Sequence, residues 1–159
     1  MRQVSTPFEQ PPWDVATISF SSASQLAAVR DFVGDHALAA GLPPDRVRGL
    51  RLAVSEVVTN TLRHTSGGGV MRVWTEGDEV ISELTDHGSF RHEVRAPVEH
   101  PTAAGGWGLY ITGQVCDEFL CYSRPGRTVW RLVLKRAPRP GAAGPAPSRP
   151  PEDAGEPRL

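Results

Sequence analysis

Residues 43–64 read PPDRVRGLRLAVSEVVTNTLRH, and the fold turns on this stretch. Val47, Leu50, Val54, Val57 or its neighbour Val58, and Leu62 recur at helical spacing, which places them on one face of an α-helix. Pro43, Pro44 and Asp45 suit its first turn, where proline's missing N–H costs nothing and an acid meets the positive end of the helix dipole. The helix is predicted to run to about Arg63. Glu56, Asn60 and His64 recur every four residues on a second stripe, so an acid, an amide and an imidazole share one face. Such a stripe is either a solvated helix surface or one wall of a site.

On the N-terminal side, Ala16 to Ser21 alternates like a strand, and Ser22 or Ser24 can cap a helix carrying Leu26, Val29, Phe32, Val33, Ala37 and Leu38, stopped by Gly41. On the C-terminal side, Val70 to Thr75 and Glu79 to Thr85 alternate and are joined at Glu76-Gly77-Asp78, a hairpin pattern. Asp86 to Ala104 is polar and without periodicity. Gly105-Gly106-Trp107-Gly108 then leads into a helix bearing Leu109, Ile111 and Val115. Two closing strands, around Phe119 to Ser123 and Thr128 to Leu134, turn at Pro125-Gly126. Helices gathered on one face of a mixed, mostly antiparallel sheet make an α+β two-layer sandwich.

Residues 1–15 contain Pro7, Pro11 and Pro12 and read as a flexible N-terminal arm that Phe8 or Trp13 could pin to the surface. Residues 16–136 form the folded domain. Residues 137–159 are Pro/Gly/Ala-rich and bury too little apolar surface to offset their ordering entropy, so a disordered tail is expected.

The 159 residues carry 17 basic and 18 acidic side chains, a formal charge of -1. Nothing global draws such a chain to nucleic acid or to an anionic membrane. No segment approaches the roughly 20 apolar residues of a spanning helix, and the N-terminus lacks an apolar signal core, so a cytoplasmic protein is expected. Cys116 and Cys121 lack the companion spacing of a zinc site and read as buried thiols.

Two further stretches can carry chemistry. In Thr85-Asp86-His87-Gly88 a carboxylate stands at a strand end, where it can accept a hydrogen bond from a base's exocyclic amine, beside a glycine that permits close approach; the same letters also describe an ordinary turn. In Gly105-Gly106-Trp107-Gly108-Leu109 three glycines precede an apolar helix, which suits a phosphate chain or, equally, a lid hinge without a ligand.

In order and spacing these motifs resemble the GHKL ATPases, the superfamily of histidine kinases and gyrase B. Glu56-x-x-x-Asn60-x-x-x-His64 is similar to the N box, Asp86-x-Gly88 to the G1 box, Gly106-x-Gly108-Leu109 to the G2 box, and Gly126-x-Thr128-Val129 to the closing glycine-threonine signature. The run Ala53 to Asn60 (AVSEVVTN) and the brief lid resemble the small bacterial anti-sigma-factor serine/threonine kinases.

The resemblance implies ATP and Mg²⁺ as ligands. Asn60 would hold the Mg²⁺, Asp86 would receive the adenine amino group, and Thr128 would lie at the adenine end. Gly88, Gly105, Gly106, Trp107, Gly108 and Leu109 would line the nucleotide, with His64 nearby. Glu56 would act as general base, or orienting acceptor, for a partner serine. The implied partners are a sigma factor and a STAS-type anti-anti-sigma protein, with a homodimer possible and no direct contact with nucleic acid or membrane.

The chain departs from the family pattern at Phe90, where a second glycine is common, and at Ala103-Ala104, where an arginine commonly precedes the G2 glycines. Arg91, Arg95 or His100 could replace that arginine. Trp107 reads as a packing residue or as an aromatic lid contact. The alternative to a kinase is a non-catalytic, nucleotide-responsive module that sequesters a transcription regulator. A detached histidine-kinase ATPase half and a sandwich without nucleotide are the remaining readings.

Overall fold

The computed structural model describes residues 1–65, 67–86 and 107–137. In chain order these form β1 (Arg2–Gln3), β2 (Ala16–Phe20), a 3₁₀ turn (Ala23–Gln25), α1 (Leu26–Ala39), α2 (Pro44–His64), β3 (Gly69–Glu76), β4 (Glu79–Asp86), α3 (Trp107–Val115), β5 (Glu118–Arg124) and β6 (Arg127–Lys135). Gly88, Gly105 and Gly106, the lid segment up to Ala104, and all but the first residue of the 137–159 tail lie outside the described residues.

Six strands form one sheet in the order β1-β5-β6-β4-β3-β2. All neighbours run antiparallel except β1, which pairs parallel with β5. The β3–β4 and β5–β6 hairpins close at Gly77 (φ 57) and Gly126 (φ 78), left-handed conformations that glycine adopts without a Cβ clash.

The helices cover one face of the sheet: α1 packs on β2 and β3, α2 on β4 and β6, and α3 on β5. This is the two-layer α+β sandwich expected. Its core joins Val29, Val33 and Ala37 of α1 and Leu50, Val54, Val57 and Val58 of α2 to Met71, Leu84, Trp130, Leu132 and Leu134 of the sheet. Each such large aliphatic side chain contributes about 1.5–3 kcal/mol on leaving water. Leu38, expected on the apolar face of α1, is instead 49% exposed.

Entry to α1 is fixed by Gln25, whose side-chain oxygen accepts from the Ser21 (2.8 Å) and Ser22 (3.2 Å) N–H groups. The start of α2 is tied to the sheet by the Arg46–Asp117 ion pair, and Asp117 also accepts from the Lys135 N–H at 2.7 Å. Cys116 and Cys121 are both buried and unbridged.

On the opposite face of the sheet lies a small cluster of Trp74, Ile81 and Val133 with Val15. Beside it, Arg131 donates to Glu83 Oε2 through Nε (3.0 Å) and a terminal nitrogen (2.6 Å), and stacks under the Phe8 ring at 4.3 Å. Phe8 therefore does hold the N-terminal segment, whereas Trp13 is 98% exposed. No helix among the described residues is long and apolar enough to cross a membrane.

Candidate functional site

The floor of the site is a row of register partners across one end of the sheet. Phe20 of β2 pairs with Gly69 of β3, Gly69 with Asp86 of β4, Asp86 with Thr128 of β6, and Thr128 with Ser123 of β5. Side chains alternate along a strand, so all five positions share the helix-covered face with Leu84, Trp130 and Cys121. Asp86 and Thr128 are both fully buried. Hydrophobic cover on either side of a carboxylate is expensive unless polar groups meet it, and the Thr128 hydroxyl stands on the adjacent strand.

Gly69 leaves the β3 flank of Asp86 without a side chain. A Cβ there would stand 3.0 Å from both the Phe20 ring and the Thr85 carbonyl oxygen. On the β5 flank, Ser123 and Thr128 share a hydroxyl–hydroxyl hydrogen bond of 2.9 Å.

One wall is α2, whose C-terminal end lies over this row because the chain passes from His64 to Gly69, the partner of Asp86, in a few residues. Glu56 and Asn60 are half-buried on α2 and His64 is exposed, so the acid–amide–imidazole stripe climbs from the interior to solvent. Next to Asn60, Thr61 is fully buried, with a hydroxyl that has no hydrogen-bond partner among the described residues.

The other wall is α3, which runs antiparallel to α2. Gly49 faces Val115, where a Cβ would stand 3.0 Å from Val115 Cγ1, and Gly108 faces Glu56. A Cβ at Gly108 would collide with Glu56 Oε2, so glycine is what allows the carboxylate to lie against the first turn of α3. The Gly108 carbonyl accepts from Thr112 Oγ1 at 2.9 Å within that helix. The positive end of α3 thus opens at the same end of the molecule as Glu56, Asn60 and Asp86.

Leu109 packs on the core, while Trp107 is 53% exposed and meets Tyr110 edge-on at 6.1 Å between ring centroids. Of the residues that the sequence singles out, Glu56, Asn60, Asp86, Gly108, Leu109 and Thr128 gather at this end; His64 and Trp107 stand at its exposed margin; Gly88, Gly105 and Gly106 lie outside the described residues. Ser123, Phe20 and Gly69 escape sequence reasoning, because their place beside Asp86 depends on strand register.

No group of three His, Cys, Asp or Glu side chains among the described residues forms a metal cluster. Mg²⁺ keeps most of its waters and commonly takes one or two protein oxygens plus substrate phosphates, so the single amide oxygen of Asn60 beside a phosphate-suited helix end fits that ion.

A family profile described as a histidine kinase-like ATPase domain matches residues 20–134. The serine-protein kinase RsbW of Staphylococcus aureus is 26% identical over 125 residues, spanning 69% of this chain and 79% of its own. Among solved structures, a Mycobacterium tuberculosis protein with RsbU and RsbW domains superposes with a TM-score of 0.59 at 19% identity. The match covers 78% of this chain but only 33% of that longer one. The SiaB–SiaC complex of Pseudomonas aeruginosa gives a TM-score of 0.50 at 15% identity, covering 74% of this chain and 88% of that one. The two structural likenesses speak to the fold, and the profile match over most of the chain settles its kinship: the chain belongs to the histidine kinase-like ATPase domain family.

Proposed function

We propose that this chain is an ATP-binding anti-sigma factor that phosphorylates a serine or threonine of a STAS-type anti-anti-sigma partner. The observation that carries the reading is the contact of the Glu56 carboxylate with Gly108 at the first turn of α3, over a sheet end where Asp86 and Thr128 are buried side by side. Kinship with the serine-protein kinase RsbW supports the choice of a serine kinase over other members of the family.

In this reading Asp86 accepts a hydrogen bond from the adenine amino group, and the backbone N–H groups at the start of α3 meet the phosphates. Asn60 would hold Mg²⁺ through its side-chain oxygen, and the bound ion would supply charge neutralisation on the phosphates. Glu56 takes the proton from the partner hydroxyl, or orients that hydroxyl, as its oxygen attacks the γ-phosphorus, the bond from that phosphorus to the β–γ bridging oxygen breaks, and ADP departs. Phosphoryl transfer demands positioning and charge stabilisation more than covalent chemistry from the protein. A base seated against a helix end is suited to the first of these.

Ala103 and Ala104 favour a second reading, because they leave the stretch before Gly105 without a cation for the γ-phosphate. The protein would then sequester a transcription regulator in response to nucleotide without transferring phosphate. Incubation with γ-labelled ATP and the cognate antagonist separates the two. Transfer to serine or threonine that is lost in Glu56→Ala supports the kinase; regulation that persists in Glu56→Ala with no label transferred supports the binder.

A further inference from the structure

Ser123 enters the site without belonging to any of its sequence motifs. It is half-buried on β5, opposite Thr128 in the β5–β6 register, and the two hydroxyls are hydrogen-bonded at 2.9 Å. Thr128 in turn stands opposite Asp86, and both are fully buried. On the far side of Asp86, Gly69 offers no side chain. The carboxylate therefore has one bare flank, toward β3, and one hydroxylic flank, toward β6 and β5.

A hydroxyl has one proton and two lone pairs, so what it presents to a ligand depends on what its other neighbour takes. An ionised carboxylate only accepts. A base that gives its exocyclic amine to Asp86 presents a ring-nitrogen acceptor next to that amine if it is adenine. Guanine presents a carbonyl oxygen and a ring N–H in the same two places. To favour adenine, Thr128 must donate its proton, which requires its oxygen to accept from Ser123. Ser123 is partly exposed and can satisfy its own lone pairs with water.

We propose that Ser123 is a positioning residue for base selection: its O–H donates to Thr128 Oγ1, turning the Thr128 proton toward the base beside Asp86 and biasing the site to 6-amino over 6-oxo purines. This rests on the nucleotide-binding reading given above. Without the Ser123 hydroxyl, the Thr128 rotor is free to accept as well as to donate, and the loss falls on discrimination rather than on the fold.

The test is calorimetric titration of ADP and of GDP into the full chain, comparing wild type, Ser123→Ala, Ser123→Thr and Asp86→Asn. Ser123→Ala should narrow the ADP-to-GDP affinity ratio roughly fivefold, the worth of one net hydrogen bond, and lower the thermal midpoint by only a few degrees. Ser123→Thr, which keeps the hydroxyl, should retain the wild-type ratio. An unchanged ratio in Ser123→Ala overturns the proposal, as does an equal weakening of both nucleotides, which assigns Ser123 a structural role alone. Wild-type protein that binds neither diphosphate, or an Asp86→Asn variant that binds ADP normally, overturns the base-site reading and this inference with it.

Discussion

Asp86 and Thr128 face each other across the β4–β6 ladder as direct register partners, and neither is exposed to solvent. A buried acid beside a buried hydroxyl on neighbouring strands is a paired donor–acceptor edge, the arrangement that a planar base with its own donor and acceptor can match. Thr128→Val keeps the volume and removes the hydroxyl. Its expected effect is an ADP affinity lower by about fivefold to tenfold, read by calorimetry, with Thr128→Ser near wild type. An unaltered affinity in Thr128→Val would take the hydroxyl out of the site.

Gly108 and Glu56 yield a second prediction. A methyl at Gly108 would occupy the space of Glu56 Oε2, so Gly108→Ala must displace the carboxylate. Phosphate transfer to the partner should fall on the order of 100-fold, as for a misplaced general base, while ADP affinity falls less than tenfold. Shortening the acid in Gly108→Ala/Glu56→Asp should recover part of the transfer. Equal loss of binding and transfer would show instead that the methyl blocks the phosphates.

Much of this arrangement is legible in the sequence where the pattern is local. The apolar spacing from Val47 to Leu62 gives α2, and Gly77 and Gly126 give the two hairpin turns. Asp86 and Thr128 are legible only as motif letters, whereas their pairing follows from two hairpins docking at a particular register. Ser123 carries no motif at all, and its role emerges only when β5 and β6 are aligned. The edge strand at Arg2–Gln3 is too short for any alternation to announce it, and it forms because β5 offers it a free edge. Leu38 fits the helical period yet remains exposed, since a period marks a face and cannot say how far its neighbours reach over it.

On the far side of the sheet, the Glu83 side chain is 3% exposed and that of its partner Arg131 is 13% exposed. Removing one member of a buried pair strands the other charge, so Arg131→Ala should cost about 3–5 kcal/mol in urea unfolding. The double change Glu83→Gln/Arg131→Met should cost much less. Phe8→Ala, which removes one of two rings over the guanidinium and leaves Trp74, is expected to cost about 0.5–1 kcal/mol. Were Arg131→Ala no worse than Phe8→Ala, the pair would not be holding that face.

Burial pushes the Cys121 thiol up to about 12. The native thiol should resist iodoacetamide at pH 8 and react only on unfolding, because the thiolate is the nucleophile. Between pH 9 and 12 the folded chain holds a proton that the unfolded chain releases. Stability from this group is therefore complete below about pH 9 and is lost as pH rises toward 12. Mass spectrometry after labelling reads the first effect, and Cys121→Ala, which should flatten the alkaline decline, reads the second.

In the proposed function, nucleotide enters between α2, α3 and the Asp86–Thr128 end of the sheet. Calorimetric titration of Mg-ATP and Mg-ADP into the full chain tests it most directly, with Asn60→Ala and Asp86→Ala as controls. Saturable binding is expected in the wild type, weakened at least tenfold by either substitution. Absence of binding at millimolar nucleotide, or binding indifferent to both substitutions, would contradict it.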